Sequence, residues 1–345
     1  MSLRPLSCLA LALILASCSS SRSPIAPRAK PKDYGAIGAT EGPAWKDGSL
    51  YFTDGKHINR MGPDGKTTVF RHNASNGLLF DEEGRLVACE SGLRRVTRTE
   101  KDGSITVMAD RYEGKRFNAP NDLCMDSKGR IYFTDPRYGS REGMEISFLE
   151  PRMRLCVVGP ILTQREFEEV QRALPTKERT IFIEGIYRID APGKPKLALP
   201  GGEDYSLERP NGILISPDDH YLYIADNNNN KHGGSRKLLR YEFDESGSVK
   251  SGPPKVIFDW KDGRGPDGMK MDSAGRIYVA AGTNKPTEFE TTRFKAGCYI
   301  LSPSGRLLDF IPVAPDECCN CAFGGADGKT LFITSGGHLW SVPLR

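Results

Sequence analysis

Histidine is scarce in this chain, with five among 345 residues. A serine hydrolase would need a nucleophile, a His and an acid in a recognisable arrangement, and the chain has neither triad-like spacing nor a Gly-Xaa-Ser-Xaa-Gly turn. Charge of one sign is not in excess either: the formal net charge is +4, and Lys and Arg are scattered among Asp and Glu. No basic stripe or aromatic ladder is present. These absences disfavour a serine hydrolase and a nucleic-acid-binding protein.

The chain has only one long apolar run, which lies at the N-terminus. It extends from Leu6 to Leu15 and follows Arg4. The run is too short to span a bilayer and is typical of the apolar part of a secretory signal. It ends in Leu15-Ala16-Ser17-Cys18, which resembles a bacterial lipobox. We therefore interpret residues 1–17 as a lipoprotein signal peptide, with a plain secretory signal or a buried strand as the alternatives.

The segment after this signal is rich in Ser, Pro and Ala. By resemblance to bacterial lipoproteins, Cys18 is expected to be lipidated and to become the mature N-terminus. Residues 18–33 are then predicted to form a flexible tether. Ser19 stands where Asp would favour the inner membrane, so the same resemblance favours the outer membrane. The predicted location is the periplasm, with the membrane contacted through the lipid anchor only.

Cysteine is less informative. The sequence has nine, and the only cluster is Cys318-Cys319-Asn320-Cys321. A zinc site would need a fourth soft ligand at suitable spacing, and none lies nearby. A disulfide to another cysteine stays open, but packing as small apolar residues is the interpretation that we favour.

A short sequence motif recurs six times from residue 41 towards the C-terminus. Each copy begins with Glu, Asn or Asp and is followed by a turn and a strand-like run such as Leu50-Tyr51-Phe52-Thr53. The residues that head the copies are Glu41, Asn76, Asn121, Asn211, Asp267 and Asn320. Six sheet modules with a polar residue at the same place predict a radial array around a shared site.

The expected fold is all-β, a six-bladed β-propeller over residues 34–345. The sixth copy is one strand short, so residues Lys32 to Gly38 are predicted to supply that strand and close the ring. An insertion over about residues 140–185 interrupts the repeat. Within it, a capping box that begins at Thr163 predicts a short helix over the channel mouth. The alternative is a surface excursion without a role in chemistry.

The six head residues are predicted to lie on one face, because the innermost strand of each propeller blade begins there. The second strands return to the same face. Those strands end in the acidic residues Asp54, Glu90, Asp135 and Asp226. One mouth of the central channel is therefore expected to be rich in carboxylates and carboxamides.

Several short motifs follow one another along the predicted blades. They are Glu41-Gly42-Pro43 with Trp45, Pro120-Asn121-Asp122, Phe133-Thr134-Asp135-Pro136, Gly185-Ile186-Tyr187-Arg188, Pro210-Asn211-Gly212, Pro266-Asp267-Gly268 and Asn320-Cys321-Ala322-Phe323-Gly324-Gly325. In this order and at these places in the blades, the motifs resemble the SMP-30/gluconolactonase/LRE family of calcium-dependent six-bladed propellers. The resemblance covers the chain from about Gly35 to the end, apart from the insertion.

The resemblance implies a metal site. Its core ligands would be Glu41, Asn211 and Asp267, with Asn121 completing or bordering the set. Two carboxylates and two carboxamides suit Ca²⁺, and also Mg²⁺ or Mn²⁺, while Zn²⁺ usually prefers His and Cys but stays possible. The other two heads, Asn76 and Asn320, are interpreted as turn formers, because Asn is common in turns.

The resemblance also implies a reaction, the hydrolysis of a sugar lactone. The metal would polarise the lactone carbonyl, and Asp267 would activate the attacking water. Asn121 and Asp122 would orient water or substrate.

Three further residues are candidates for contact with the substrate. Arg116 and Asn118 belong to a segment that resembles the substrate-facing segment of the family. His338 follows the sixth second strand, where a proton shuttle and a hydrogen-bonded structural His are both open interpretations.

The expected partner is a small lactone, and the chain is expected to be a monomer. A different class of function stays open, a noncatalytic propeller that binds glycans or proteins and keeps Ca²⁺ for rigidity. A scaffold has no need for four oxygen ligands that converge on one channel mouth, so the enzyme is the favoured hypothesis.

Overall fold

The computed structural model describes residues 23–73, 76–138, 184–202 and 205–345. In these residues the chain forms six four-stranded sheets and one two-stranded hairpin. The helical structure found there is one short 3-10 turn, Ser91–Leu93. Within the same ranges, no helix has the length and apolar character that crossing a bilayer requires.

Short β-strands account for nearly all of the regular structure. In chain order they are β1 (Lys32–Ala39), β2 (Glu41–Lys46), β3 (Ser49–Thr53), β4 (His57–Met61), β5 (Thr67–His72), β6 (Leu78–Phe80), β7 (Leu86–Glu90), β8 (Arg95–Thr99), β9 (Ile105–Ala109), β10 (Arg111–Tyr112), β11 (Lys115–Arg116), β12 (Leu123–Met125), β13 (Ile131–Asp135), β14 (Gly185–Ile189), β15 (Pro195–Leu199), β16 (Pro210–Ile215), β17 (Tyr221–Asn227), β18 (Arg236–Glu242), β19 (Lys255–Asp259), β20 (Pro266–Met271), β21 (Ile277–Ala281), β22 (Gly297–Leu301), β23 (Leu307–Pro312), β24 (Cys318–Gly324), β25 (Thr330–Ser335) and β26 (Gly337–Pro343).

Each sheet is one blade of a propeller. Blades one to five are β2 to β5, β6 to β9, β12 to β15, β16 to β19 and β20 to β23, and the sixth consists of β24, β25, β26 and β1. The hairpin β10 to β11 lies in the sequence between the second and third blades. The predicted six-bladed β-propeller is confirmed.

The second strand of a blade is buried on both faces, because each blade is packed between two others. Every residue of β7, β13 and β21 is buried. Val279 and Ala281 of the fifth blade share one apolar cluster with Tyr223 and Ala225 of the fourth. The alternating β-formers read from the sequence thus build the core between the blades.

The N-terminal strand closes the ring, as predicted. In β1, Lys32 pairs with Ser341 and Ala36 pairs with His338 of β26. This pairing completes the sixth blade and covers an edge that would otherwise expose unpaired backbone groups.

The chain contacts the propeller before β1 begins. Ile25 forms an isolated antiparallel bridge with Leu344, and Ile25 and Ala29 pack against the core of the sixth blade. Part of the predicted 18–33 tether therefore lies against the fold. Two predictions fall outside the described residues: the signal peptide at 1–17 with Cys18, and the helix within the 140–185 insertion. The domain limits also stay predictions.

Neighbouring inner strands approach too closely to admit a side chain at certain glycines. A Cβ atom at Gly212 would lie 2.1 Å from the carbonyl oxygen of Asp267, and one at Gly268 would lie 2.0 Å from Cγ of Asn320. Glycine is therefore required for the head residues of adjacent blades to meet around the channel.

Substituting Gly212→Ala is expected to lower the free energy of unfolding by about 1–3 kcal/mol, because the added methyl group meets backbone that must shift. Gly92→Ala is the matched control, since a Cβ there has no neighbouring atom within 4 Å. The control should change stability by less than about 0.5 kcal/mol. Urea unfolding of both variants would measure the difference, and equal stabilities would contradict the close approach.

Candidate functional site

β-Bulges occur in the innermost strands that contain a head residue. In β2, Glu41 pairs with Thr53 but Ala44 pairs with Tyr51, so the inner strand has one extra residue. Corresponding register shifts occur in β16, β20 and β24. A bulge bends a strand locally and re-aims its side chains. The bulges thus separate the head residues from the regular alternation of the sheets.

Three of the re-aimed side chains converge. Ligand atoms of Glu41, Asp267 and Cys319 all lie within 4.8 Å of one another. Asp267 is only 4% exposed. We call Glu41, Asp267 and Cys319 the channel cluster. Blades one, five and six contribute its members, so the cluster exists only in the closed ring.

Buried oxygens near these strands lack hydrogen-bond partners. They include Oδ1 of Asp267, Oδ1 of Asn211 and Oδ2 of Asp122. Buried polar atoms without partners are costly and uncommon in folded proteins, and they often occur where an ion binds. The donor set is rich in carboxylate and amide oxygens, as hard divalent cations prefer. The residues present therefore fit the divalent metal that the sequence implied.

The electrostatics of the cluster also favour a cation. Burial, and then the charge of Asp122, raises the pKa of Glu41 from 4.5 to about 7. Burial, and then the charge of Glu41, raises the pKa of Asp267 well above its ordinary value. Like charges held in a buried site disfavour each other's ionised form. A divalent cation would offset both effects.

Arg264 supplies part of the positive charge and was not singled out in the sequence. It is buried, with Nη2 3.5 Å from Oδ2 of Asp267 and 2.8 Å from a carboxylate oxygen of Glu317. Its Nη1 lies 3.8 Å from Glu290. One guanidinium thus holds Oδ2 of Asp267 and leaves Oδ1 of the same carboxylate without a partner. Only the folded ring brings these residues together, so sequence spacing gave no signal for Arg264.

Asn320 is part of the site, contrary to its interpretation as a turn former. Its Nδ2 donates to Oε2 of Glu41 at 3.2 Å, and its Oδ1 accepts from the amide of Cys321 at 2.9 Å. The first bond joins the sixth blade to the first. The carboxamide orients the Glu41 carboxylate, a role that its place as the sixth head residue could have indicated.

Asn211 is oriented by Tyr138, a residue that sequence patterns did not single out. Nδ2 of Asn211 donates to the hydroxyl oxygen of Tyr138 at 3.2 Å, and that hydroxyl donates to the carbonyl of Asn227 at 3.0 Å. This bond identifies the NH₂ end of the carboxamide, so the unpartnered Oδ1 is the end available to a ligand.

Asn121 and Asp122 lie at the start of the third blade, and both are buried. The carbonyl of Asn121 accepts from the amide of Gly77 at 2.8 Å. Oδ1 of Asp122 accepts from the amide of Leu123 at 2.9 Å. Burial raises the pKa of Asp122, and the charge of Lys270 acts against this rise. The proposed roles of both residues stay predictions.

The candidate substrate residues lie outside the channel cluster. Nη2 of Arg116, an exposed residue, donates to the carbonyl of Leu93 at 3.1 Å. Nδ2 of Asn118 donates to the carbonyl of Asp135 at 3.2 Å. Nδ1 of His338 lies 3.0 Å from the Asp33 carboxylate, in the two outer strands of the sixth blade. The substrate roles of these three residues stay predictions.

The acids at the ends of the second strands have structural partners. Oδ2 of Asp135 accepts from the amide of Asn118 at 2.8 Å, and Asp226 accepts from the amide of Arg209 at 2.6 Å. Glu90 pairs with Arg71 at 2.7 Å. These carboxylates hold the strands and loops around the channel, and the cluster is formed by other residues.

The cysteines of the sixth blade differ from one another. The described cysteines are all free thiols. Cys318 and Cys321 are buried in an apolar cluster, as the packing interpretation expects. Cys319 is only partly buried and belongs to the channel cluster, so packing was the wrong interpretation for this residue.

The fold and the site define a six-bladed β-propeller with a polar cluster at its central channel. Comparison with known proteins identifies the family. The SMP-30/Gluconolactonase/LRE-like region matches residues 39–337. The chain belongs to this family.

Relatives and solved structures agree with this assignment. A gluconolactonase from Zymomonas mobilis is 28% identical over 332 residues, which cover 89% of this chain and 78% of the relative. A 6-deoxy-6-sulfogluconolactonase from Pseudomonas putida is 34% identical over 128 residues, 36% of this chain and 37% of that protein. The solved structure of a gluconolactonase from Xanthomonas campestris is 26% identical with a TM-score of 0.68, covering 95% of this chain and 93% of that one.

Proposed function

We propose that this chain is a hydrolase that opens a sugar lactone with the help of a divalent metal. The observation that carries the proposal is the convergence of the half-buried Glu41 and the buried Asp267, with oxygens of Asp267 and Asn211 that lack partners. The gluconolactonase relative supports the substrate class, since it aligns with 89% of this chain.

The proposed metal ligands are Glu41, Asn211 and Asp267, with Asn121 at the border of the set. Their oxygens suit Ca²⁺ best, and Mg²⁺ and Mn²⁺ are compatible with the same donors. When bound, the cation would supply Lewis-acid stabilisation of the negative charge that develops on the lactone carbonyl oxygen.

Asp267 is the proposed general base. Its Oδ1 is buried and has no hydrogen-bond partner, and a carboxylate oxygen has two lone pairs, so Oδ1 could face the cation with one lone pair and accept the proton of the attacking water with the other. Arg264, near Oδ2 at 3.5 Å, limits rotation of the carboxylate and leaves Oδ1 for the reaction. The hydroxide that forms would add to the lactone carbonyl carbon, the ring C–O bond would break, and the proton held at Oδ1 would pass to the departing ring oxygen.

Asn320 and Tyr138 are proposed to position the groups that bind. Asn320 holds Glu41 through Nδ2, and Tyr138 holds Asn211 through its hydroxyl. Positioned groups lower the entropic part of a barrier, because the reactive geometry exists before the substrate arrives. Asp122, whose Oδ2 is buried without a partner, is proposed to orient water or a sugar hydroxyl.

The substrate class can be tested with a panel of compounds. Glucono-1,5-lactone, other sugar lactones, an unsubstituted lactone and a linear ester would be compared after subtraction of spontaneous hydrolysis. The proposal expects turnover of sugar lactones above the other two classes. Equal rates on linear esters would contradict it, and binding of glycans without any turnover would favour the noncatalytic propeller.

We also propose that the protein is exported and anchored to the outer membrane in the periplasm through lipid on Cys18. The apolar run from Leu6 and the lipobox-like Leu15-Ala16-Ser17-Cys18 support this proposal.

Cys18→Ser is expected to lose the mass of the attached lipid, because the proposed site of lipidation is removed. Cys8→Ser is the matched control, since Cys8 lies within the proposed signal, and its mature chain should carry the same lipid as the wild type. Intact masses of the wild type and both variants would measure the change. An unlipidated wild-type chain would contradict the anchor.

A further inference from the structure

Cys319 has an unusual place in the sixth blade. In β24, Cys318 pairs with Ser335 and Asn320 pairs with Thr334, so Cys319 is the extra residue of the bulge. Cys318 and Cys321 lie in the apolar core, whereas Cys319 is only partly buried. The bulge thus separates one thiol from its neighbours in the cluster of cysteines.

The thiol lies beside two carboxylates and donates a hydrogen bond to the backbone carbonyl of Glu317 at 3.2 Å. Sγ of Cys319 lies within 4.8 Å of carboxylate oxygens of Glu41 and Asp267. Independently, Oδ1 of Asp267 is buried without a partner in a residue that is 4% exposed. In a tetrahedral site with bonds of about 2.1 Å to oxygen and 2.3 Å to sulfur, oxygen and sulfur lie roughly 3.6 Å apart. Small side-chain adjustments would therefore place all three atoms on one ion.

We propose that Cys319 is a direct ligand that gives this metal site a preference for softer divalent ions such as Zn²⁺, Co²⁺ and Cd²⁺. On binding, the thiol proton leaves to solvent and the sulfur lone pair forms the bond to the ion, with no change of oxidation state. The inference deepens the proposed function, and it rests on that proposal only for the presence of a metal at the channel cluster.

Ligand chemistry explains why one sulfur would matter. Ca²⁺ and Mg²⁺ take oxygen ligands, whereas thiolates favour Zn²⁺ and other softer ions. Without Cys319, the site would offer only oxygen donors from Glu41, Asp267 and the carboxamides. The thiol therefore selects among ions, while the carboxylates attract all of them.

Cobalt spectroscopy tests the sulfur ligand without any assay of activity. The purified chain would be freed of metal, loaded with Co²⁺ and compared with Cys319→Ser and Cys319→Ala. We expect a thiolate-to-cobalt charge-transfer band in the near ultraviolet for the wild type and its loss in both variants. Cys124→Ser is the matched control, because Cys124 is partly buried in β12 outside the channel cluster, and it should retain the band.

Metal-binding titrations give a second test of the sulfur ligand. Removing Cys319 should weaken Zn²⁺ and Cd²⁺ binding by more than about tenfold, since even indirect partners of a metal ligand are worth about 10- to 100-fold. Ca²⁺ affinity should stay the same. In the unmodified chain, Cd²⁺ should protect Cys319 from iodoacetamide more than Ca²⁺ does, as peptide mapping would show even if the variants fail to fold.

The outcomes separate this inference from the proposed function. Bound Co²⁺ without a sulfur band, or a band that persists in Cys319→Ser, would overturn the inference. A sulfur band in a protein that hydrolyses no lactone would leave the inference standing and reject the proposed function. Lactone hydrolysis by a protein that shows no sulfur band would reject the inference and leave the proposed function standing.

Discussion

The Asp267→Asn variant is expected to lose about 10²- to 10⁴-fold in kcat/KM for a sugar lactone, the usual contribution of a general base. The amide keeps the size of the carboxylate and an oxygen that can bind a cation, but it cannot accept the proton of water at neutral pH. Steady-state kinetics with metal at saturation would measure the loss, after thermal unfolding has shown that the variant folds.

Asp272→Asn is the matched control for this prediction. Asp272 follows β20 at the opposite end of the same strand, where it pairs with Arg276 at 2.6 Å. Its removal should leave turnover unchanged. If Asp267→Asn turned over substrate at the rate of this control, Asp267 would not be the base.

Metal titration separates the two proposed roles of Asp267. A variant that binds the ion normally but lacks turnover would assign Asp267 to proton transfer. A variant that loses both would assign the residue to metal binding first, and the base would have to be another group.

The Glu41→Gln variant is expected to bind the metal much more weakly and to lose turnover at low metal concentration. One of the two proposed carboxylate ligands becomes neutral, whereas the hydrogen bond from Asn320 can be kept by the new amide oxygen. High concentrations of the ion should restore part of the rate. Calorimetric titration and kinetics at several metal concentrations would measure both effects, and normal metal affinity would exclude Glu41 as a ligand.

The same residue predicts how stability depends on pH in the metal-free protein. The pKa of Glu41 is raised from 4.5 to about 7 by burial and by Asp122, so the folded state binds the proton more tightly than the unfolded state. Stability should therefore fall as pH rises from about 4.5 through about 7. Glu41→Gln and saturating metal should each reduce this slope in urea unfolding.

The sequence was sufficient to predict the propeller because the repeat carries the information locally. Turns and alternating β-formers recur in each copy, and the missing strand of the sixth blade could be placed at Lys32 to Gly38. Neither required knowledge of contacts between blades. The observed β1, Lys32–Ala39, matches the prediction to one residue at its end.

The site was predictable only in part, because its members come from distant parts of the chain. Glu41 and Asp267 head two repeats and could be recognised from that place. Cys319 could not, since a bulge in β24 decides that its side chain leaves the core side of the strand. Arg264 has no signature in the sequence, and its role depends on the closed ring that brings Glu317 beside it at 2.8 Å.

The metal-dependent lactonase mechanism is tested most directly by the rate of glucono-1,5-lactone hydrolysis by protein treated with a chelator, before and after a divalent ion is restored. The treated protein should be no faster than buffer alone. Restoring Ca²⁺, or another ion from Mg²⁺, Mn²⁺ and Zn²⁺, should return the activity. Full turnover by metal-free protein would contradict the metal-dependent mechanism, and a folded, metal-loaded protein inactive on every sugar lactone would contradict the lactonase itself.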